Sequence, residues 1–113
     1  MISSLLALTL LASAAQPQDP TVPLRQNYMR CFDAFMRASL QQRMEPPAFE
    51  TALAQQCGDR IATYRSAMIQ RERTPSNRVR AEEDVRVDLE DAKLNLIERY
   101  RMYFESNSAP RPN

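Results

Sequence analysis

The sequence contains no histidine and no tryptophan, a single glycine, a single lysine and only two cysteines. Without histidine the chain lacks the most frequent general base, the most frequent metal ligand and the base of Ser-His or Cys-His nucleophilic pairs. We therefore expect a protein that is not an enzyme and that needs no cofactor. Of its 15 basic residues only Lys93 is a lysine, a bias of composition that indicates no mechanism.

The chain also lacks an excess of charge of either sign. Its 15 basic and 14 acidic side chains leave a formal net charge of +1. Long-range attraction to nucleic acid is therefore not expected, and binding to a membrane surface would need a local basic patch. A length of 113 residues predicts one domain with one modest core.

The first fifteen residues, MISSLLALTLLASAA, predict a secretory signal peptide. The apolar run is centred on Leu5 to Leu11, and Ala12-Ser13-Ala14 fits the small-residue cleavage pattern. An uncleaved anchor is the alternative, but the run is shorter than the about 20 residues that a spanning helix needs. We expect a periplasmic or secreted protein.

The two cysteines, Cys31 and Cys57, lie at similar distances on either side of Pro46-Pro47. If each side of this break is a helix, an antiparallel arrangement brings both cysteines to the same height. Together with export this predicts a structural disulfide. A redox pair or a zinc site is the alternative, although the spacing fits neither the close pairing of reactive cysteines nor the short zinc signatures.

Apolar residues recur at spacings of three and four along three segments, and no segment alternates as a strand would. The sequence predicts an all-α fold, a three-helix up-down-up bundle with one inter-helix disulfide between Cys31 and Cys57. The third segment carries a nearly heptad, coiled-coil-like seam. The predicted helices are Leu24 to Met44, Ala48 to Arg73 and Arg78 to Glu105. The predicted order is a signal peptide (1–15), a disordered lead-in (16–23), the bundle (24–106) and a disordered tail (107–113).

Gly58 lies inside the second predicted helix, where a glycine costs about 1 kcal/mol relative to alanine, and we interpret it as permitting close packing beside the disulfide. The apolar side of each predicted helix follows from the same spacing of three and four residues. The first stripe is Tyr28, Cys31, Phe32, Phe35, Met36 and Leu40, the second is Phe49, Leu53, Cys57, Ile61, Tyr64 and Met68, and the third is Val85, Leu89, Ala92, Leu96, Tyr100 and Tyr103.

Three groups of residues are candidates for binding. The aromatic end of the third helix predicts either core closure or a partner patch. Arginines around the second turn predict an anion patch, although Glu72 and Glu82 to Asp84 lie among them. A row of acidic residues predicts a cation site or a solvated face. These groups are Tyr100, Met102, Tyr103 and Phe104; Arg71, Arg73, Arg78 and Arg80; and Asp84, Asp88, Asp91 and Asn95.

The sequence therefore predicts a small exported helical protein that acts as a non-enzymatic protein-binding or structural module in the bacterial cell envelope. Its partner would be another protein or a second copy of the chain. The alternative function is a bundle that binds a small apolar or lipid-like ligand between its helices. Soft methionine side chains would line such a site, and the candidates are Met29, Met36, Met44 and Met68.

Overall fold

The computed structural model of the protein describes residues 19–72, 74 and 76–112. The predicted signal peptide and residues 16–18 of the lead-in lie outside these ranges. The described residues form α-helices and no strand, which confirms the all-helical prediction. The four helices are α1 (Thr21–Gln41), α2 (Pro46–Gln56), α3 (Gly58–Glu72) and α4 (Arg78–Glu105).

The prediction of three helices is wrong, because the predicted second helix is broken at Cys57. The backbone of Cys57 has φ −114° and ψ 11°, outside the α-helical range. The break therefore falls at the residue whose side chain reaches α1, directly before Gly58, the weakest helix former in this segment after its prolines. The periodic stripe continues through the break, since Leu53, Cys57 and Tyr64 are all buried.

Helix α1 begins at Thr21, three residues before the predicted Leu24. The carboxylate of Asp19 accepts hydrogen bonds from the Thr21 amide (3.0 Å) and hydroxyl (2.6 Å), so an aspartate satisfies the start of the helix. Pro23 is compatible with this early start, because amides in the first turn have no intrahelical acceptor. Residues 21–23, which the sequence assigned to the lead-in, thus form the first turn of α1.

Two described residues other than glycine adopt left-handed backbone, Arg43 (φ 52°) and Asn107 (φ 53°). Each follows the last turn of a helix. A left-handed residue at this position reverses the chain direction, so that the next backbone amides donate hydrogen bonds to the last carbonyls of the helix. After α1, the Met44 amide donates to the Ser39 carbonyl over 3.0 Å. The Arg43 guanidinium donates to the Phe104 carbonyl over 3.3 Å, so the ends of α1 and α4 lie side by side.

The core at this end of the bundle is a stack of aromatic rings from three helices. The rings of Phe49 (α2) and Tyr100 (α4) are nearly parallel, with centroids 3.8 Å apart, and Phe35 (α1) stacks on Phe49 at 5.3 Å. The Tyr100 hydroxyl donates to the Met44 carbonyl in the turn between α1 and α2. The stack therefore joins α1, α2 and α4, and its Tyr100 also holds the turn between α1 and α2 in place.

The core at the other end contains a second aromatic group. The ring of Tyr28 (α1) meets those of Phe32 and Tyr64 (α3) edge to face, with centroids 5.4 and 4.9 Å apart. The Tyr64 hydroxyl donates to the Asp88 carboxylate on α4 over 3.2 Å. The Tyr28 hydroxyl is buried and makes no hydrogen bond of normal geometry among the described residues. Burial raises the pKa of this phenol, and the nearby Arg25 side chain lowers it against that effect. The two phenols therefore differ in how well their burial is compensated.

This difference predicts opposite effects of the same substitution. Tyr28→Phe removes a buried hydroxyl that makes no hydrogen bond of normal geometry, so we expect the free energy of unfolding to stay constant or to rise by up to about 1 kcal/mol. Tyr64→Phe leaves Asp88 without its donor, and we expect a loss of about 1 kcal/mol. Chemical denaturation of both variants beside the parent protein measures the two changes. Equal losses of stability in both variants would contradict the conclusion that only the Tyr64 hydroxyl makes a stabilising hydrogen bond.

Burial of the phenols also predicts a loss of stability in alkaline solution. Burial, together with the charge of Asp88, raises the pKa of Tyr64 from 10.0 to about 12. Because the folded protein holds this proton more tightly than the unfolded chain does, the stabilisation is complete below pH 10 and is lost as the pH rises to about 12. Denaturation curves across this range should show the decline.

The Tyr64→Phe variant is the control for this prediction. Burial raises the pKa of Tyr28 and Tyr100 as well, so the variant should lose stability less steeply than the parent protein rather than not at all. An identical slope in both proteins would show that Tyr64 does not contribute.

Candidate binding surfaces

The two cysteines lie in the interface between α1 and the junction of α2 and α3. Their sulfur atoms are 2.14 Å apart, at disulfide bonding distance, and their Cα atoms are 5.9 Å apart. Cys57 is buried, whereas Cys31 is partly exposed and the guanidinium of Arg60 lies 3.3 Å from its Sγ. The predicted pairing of Cys31 with Cys57 is thus confirmed at the level of distance.

The interpretation of Gly58 as a close-packing residue is wrong. A Cβ built on Gly58 meets no neighbouring side chain or helix within 4 Å. The φ of Gly58 is not positive either, so the backbone does not require a glycine. Gly58 instead borders open space beside α4.

The residues of the predicted partner patch do not form one exposed surface. Tyr100 is fully buried in the aromatic stack, while Tyr103 and Phe104 are partly buried against the same core. The Arg43 guanidinium covers the Phe104 ring at 4.3 Å. Met102 is the exposed member of the group. The aromatic end therefore closes the core on one side and leaves Met102 to solvent.

The predicted anion patch is divided among ion pairs. The guanidinium of Arg71 bonds to Asp19 at the start of α1, and its second contact is the Thr21 hydroxyl at 3.0 Å. Arg78 pairs with Glu82 on α4 at 3.3 Å, and Arg80 lies 3.9 Å from Asp84 in the same manner; Arg73 lies outside the described residues. Each described arginine of the group thus already faces a carboxylate.

The acidic row on α4 is dispersed in the same way. Asp84 faces Arg80, and Asp88 accepts the hydrogen bond of Tyr64, so these two carboxylates have separate partners. Within the described ranges, no group of three or more cysteine, aspartate or glutamate side chains is arranged to hold a metal ion. The row gives no geometric support to the cation interpretation.

A surface that the sequence analysis missed lies on the outer side of α4. Val87, Leu94 and Met102 are 43%, 49% and 58% exposed, and Val79 near the start of the helix is 80% exposed. The buried large apolar residues of α4 are Val85, Leu89, Leu96, Ile97 and Tyr100. The three residues Val87, Leu94 and Met102 are spaced by seven and eight residues, which places them along the solvent side of a long helix. The signal was present in the sequence as apolar residues outside the predicted seam. We call these three residues the α4 ridge.

Two grooves flank α3. The first, of about 440 Å³, lies between α1 and the α2–α3 junction and is open to solvent. The second, of about 360 Å³, lies between the α2–α3 junction and α4, and we call it the α3–α4 groove. The first groove is lined by Asn27, Arg30, Cys31, Ala34, Phe35, Ala38, Gln56 and Arg60. The second is lined by Ala54, Gly58, Ile61, Arg65, Arg86, Leu89, Glu90 and Lys93.

The methionines proposed as walls of an apolar site are scattered. Met36 is fully buried in the core, Met44 and Met68 are partly buried against it, and Met29 is 42% exposed. None of the four lines either groove.

None of the helices in the described part of the chain combines the length and the apolar character needed to cross a membrane. Comparison of the chain with protein families, with curated proteins and with solved structures finds no match.

The crosslink between Cys31 and Cys57 closes a loop in the unfolded chain, and we predict that it contributes to stability. Replacing Cys31 and Cys57 together by serine should lower the free energy of unfolding by about 2 to 5 kcal/mol, because the crosslink restricts the unfolded chain. The helical far-ultraviolet signal should persist at low temperature. Denaturation of the oxidised protein and of the double variant measures the difference.

A thiol assay on the native protein is the companion measurement. It should detect no free thiol before denaturation and reduction, because both sulfur atoms are held in the disulfide. Two reactive thiols in protein isolated from its own compartment would contradict the disulfide.

Proposed function

We propose that this protein is a small exported, non-enzymatic module that acts in the bacterial cell envelope by binding a protein partner through the α4 ridge. The observation that carries the proposal is the exposure of Val87, Leu94 and Met102 on a 28-residue helix. Buried apolar residues already fill the core side of the same helix, so the ridge is not needed to close the fold.

The spacing of the ridge fits a partner helix. Apolar residues separated by seven or eight positions recur at every second turn and form a single row along the helix, which a partner helix can cover with its own apolar residues. Val87 and Leu94 occupy equivalent positions, and Met102 lies near the end of α4, next to the partly buried Tyr103.

The charge around the ridge favours a basic partner. Exposed acidic side chains outnumber the exposed arginines Arg80 and Arg101 on this side of the helix. Of the acidic group, Glu83 is paired with Arg86, while the others have no ion-pair partner among the described residues. Complementary charge would select and orient such a partner. The acidic residues are Glu83, Glu90, Asp91, Glu98 and Glu105.

The same charges argue against a second copy as the partner. In an antiparallel pair centred between Val87 and Leu94, Glu83 of one copy would face Glu98 of the other, and Glu90 would face Asp91. Like charges placed in this way destabilise a helix pair. A different protein with a basic helical surface is therefore the proposed partner.

Site-specific crosslinking tests the ridge directly. A photoreactive amino acid placed at Leu94 should crosslink to a distinct protein in cells of the source organism, and mass spectrometry should identify that protein. Leu94→Arg should abolish its co-purification while the melting temperature changes little, because Leu94 is about half exposed.

Val22 supplies the matched control, since it is 50% exposed on α1. The same photoreactive group at Val22 should give no such product, and Val22→Arg should leave co-purification intact. Equal crosslinking from both positions, or capture that survives Leu94→Arg, would contradict the ridge as the binding surface.

A further inference from the structure

The α3–α4 groove combines an apolar floor with unpaired positive charge. Ile61 of α3 and Leu89 of α4 form its apolar part, and both belong to or pack against the core. Arg65 and Lys93 border it from opposite helices, and neither has an ion-pair partner among the described residues. A site of this composition attracts a molecule with one apolar part and one negative charge.

The charges of the whole lining are positive on balance. Three cationic residues, Arg65, Arg86 and Lys93, line the groove against a single acidic one, Glu90. Arg86 is held by Glu83 through contacts of 2.6 and 3.0 Å, which leaves Arg65 and Lys93 as the cations free to meet a ligand. A carboxylate bound between them would also screen their mutual repulsion.

Gly58 is the second reason to regard this groove as a site. Gly58 is the first residue of α3, directly after the break at Cys57, where a glycine costs less than it does inside a helix. Neither close packing nor a positive φ requires it here, as an added Cβ would meet nothing within 4 Å. What glycine does provide is space, because Gly58 lines the groove together with Ala54. The two small residues therefore leave the groove open at the α2–α3 junction.

We infer that the α3–α4 groove binds a free aliphatic carboxylate of medium chain length, with the chain over Ile61 and Leu89 and the carboxylate between Arg65 and Lys93. The volume of about 360 Å³ is at the small end of ligand sites and suits one such chain. This site does not include the three apolar residues of the α4 ridge, which carries the proposed protein contact, although Glu90 borders both.

Binding of decanoate to the full-length protein tests the inference. Nuclear magnetic resonance titration below the micelle concentration should give saturable shifts of the amide signals around Ile61 and Leu89. Decanol, with the same chain but no charge, and acetate, with the charge but no chain, should each bind more weakly than decanoate.

Substitutions at Gly58 separate binding from stability. Gly58→Ala should leave the melting temperature unchanged or slightly higher, yet weaken decanoate binding, because Gly58 lines the groove and an added methyl group reduces the space there. A protein that is no less stable but binds less ligand cannot be explained by partial unfolding. Unchanged decanoate affinity in this variant would overturn the inference.

The other groove provides a matched control for size. Ala54→Leu places a large side chain in the α3–α4 groove, whereas Ala34→Leu makes the same change in the groove beside Cys31. Both alanines are exposed, so neither change should prevent folding. We expect only Ala54→Leu to block decanoate, and equal effects of both changes would overturn the assignment.

The charged residues are tested in the same way. Lys93→Gln and Arg65→Gln should each weaken decanoate binding by about two- to fivefold, as expected for exposed ion pairs, and should leave decanol binding unchanged. Arg30→Gln, in the other groove, should alter neither. Decanoate affinity that is insensitive to both lining cations would refute the role of charge.

Two further measurements distinguish the source of the ligand and the independence of the site. Vesicles of phosphatidylglycerol should show no binding that depends on Gly58; vesicle binding without decanoate binding would overturn the inference in favour of a membrane surface. Leu94→Arg, which should abolish the protein contact, should leave decanoate affinity unchanged. Loss of ligand binding in that variant would show that the groove and the ridge are not separate sites.

Discussion

The stack of Phe49 on Tyr100 is the contact on which the arrangement of the helices depends. Nearly parallel rings at 3.8 Å join α2 to α4, and Phe35 of α1 extends the stack. Aromatic pairs contribute about 0.5 to 1.5 kcal/mol beyond the area they bury. The Tyr100 hydroxyl then fixes the turn between α1 and α2 through the Met44 carbonyl. Since Tyr100 serves the interior, this end of α4 cannot offer a fully aromatic surface to a partner.

The other half of the bundle is organised by a different set of contacts. Tyr64 of α3 meets Tyr28 of α1 and donates to Asp88 of α4, while the cysteine pair joins α1 to the junction of α2 and α3. The break at Cys57 lies between the two halves of the bundle. Because of it, α2 and α3 can take different directions, and each packs on α4 through its own side chains. The α3–α4 groove opens at this junction, where Ala54 and Gly58 leave space beside Leu89.

Much of the fold followed from periodicity, but the parts set by tertiary contacts did not. The buried faces were predictable because Tyr28, Leu53 and Val85 each lie on a helical stripe. The break at Cys57 was not, since a stripe reports which side of a helix is buried and not whether its backbone is continuous. The pairing of Arg71 with Asp19 was hidden as well, because it joins residues 52 positions apart.

The sites were predicted less well than the fold, for a physical reason. The aromatic end of α4 and the arginines near the second turn suggested binding, but aromatic residues also fill a core and arginines also form surface ion pairs. Tyr100 is buried in the core and Arg71 pairs with Asp19. Other residues have neither a packing nor an ion-pairing role that explains them. Gly58 leaves space at the start of α3 without relieving a clash, and Leu94 exposes apolar surface on a helix whose core side is already filled by buried residues. Residues that depart in this way from the usual rules of helix composition and core packing are expected mainly at functional sites. Both lie on or beside α4, which is why the two proposals rest on this helix.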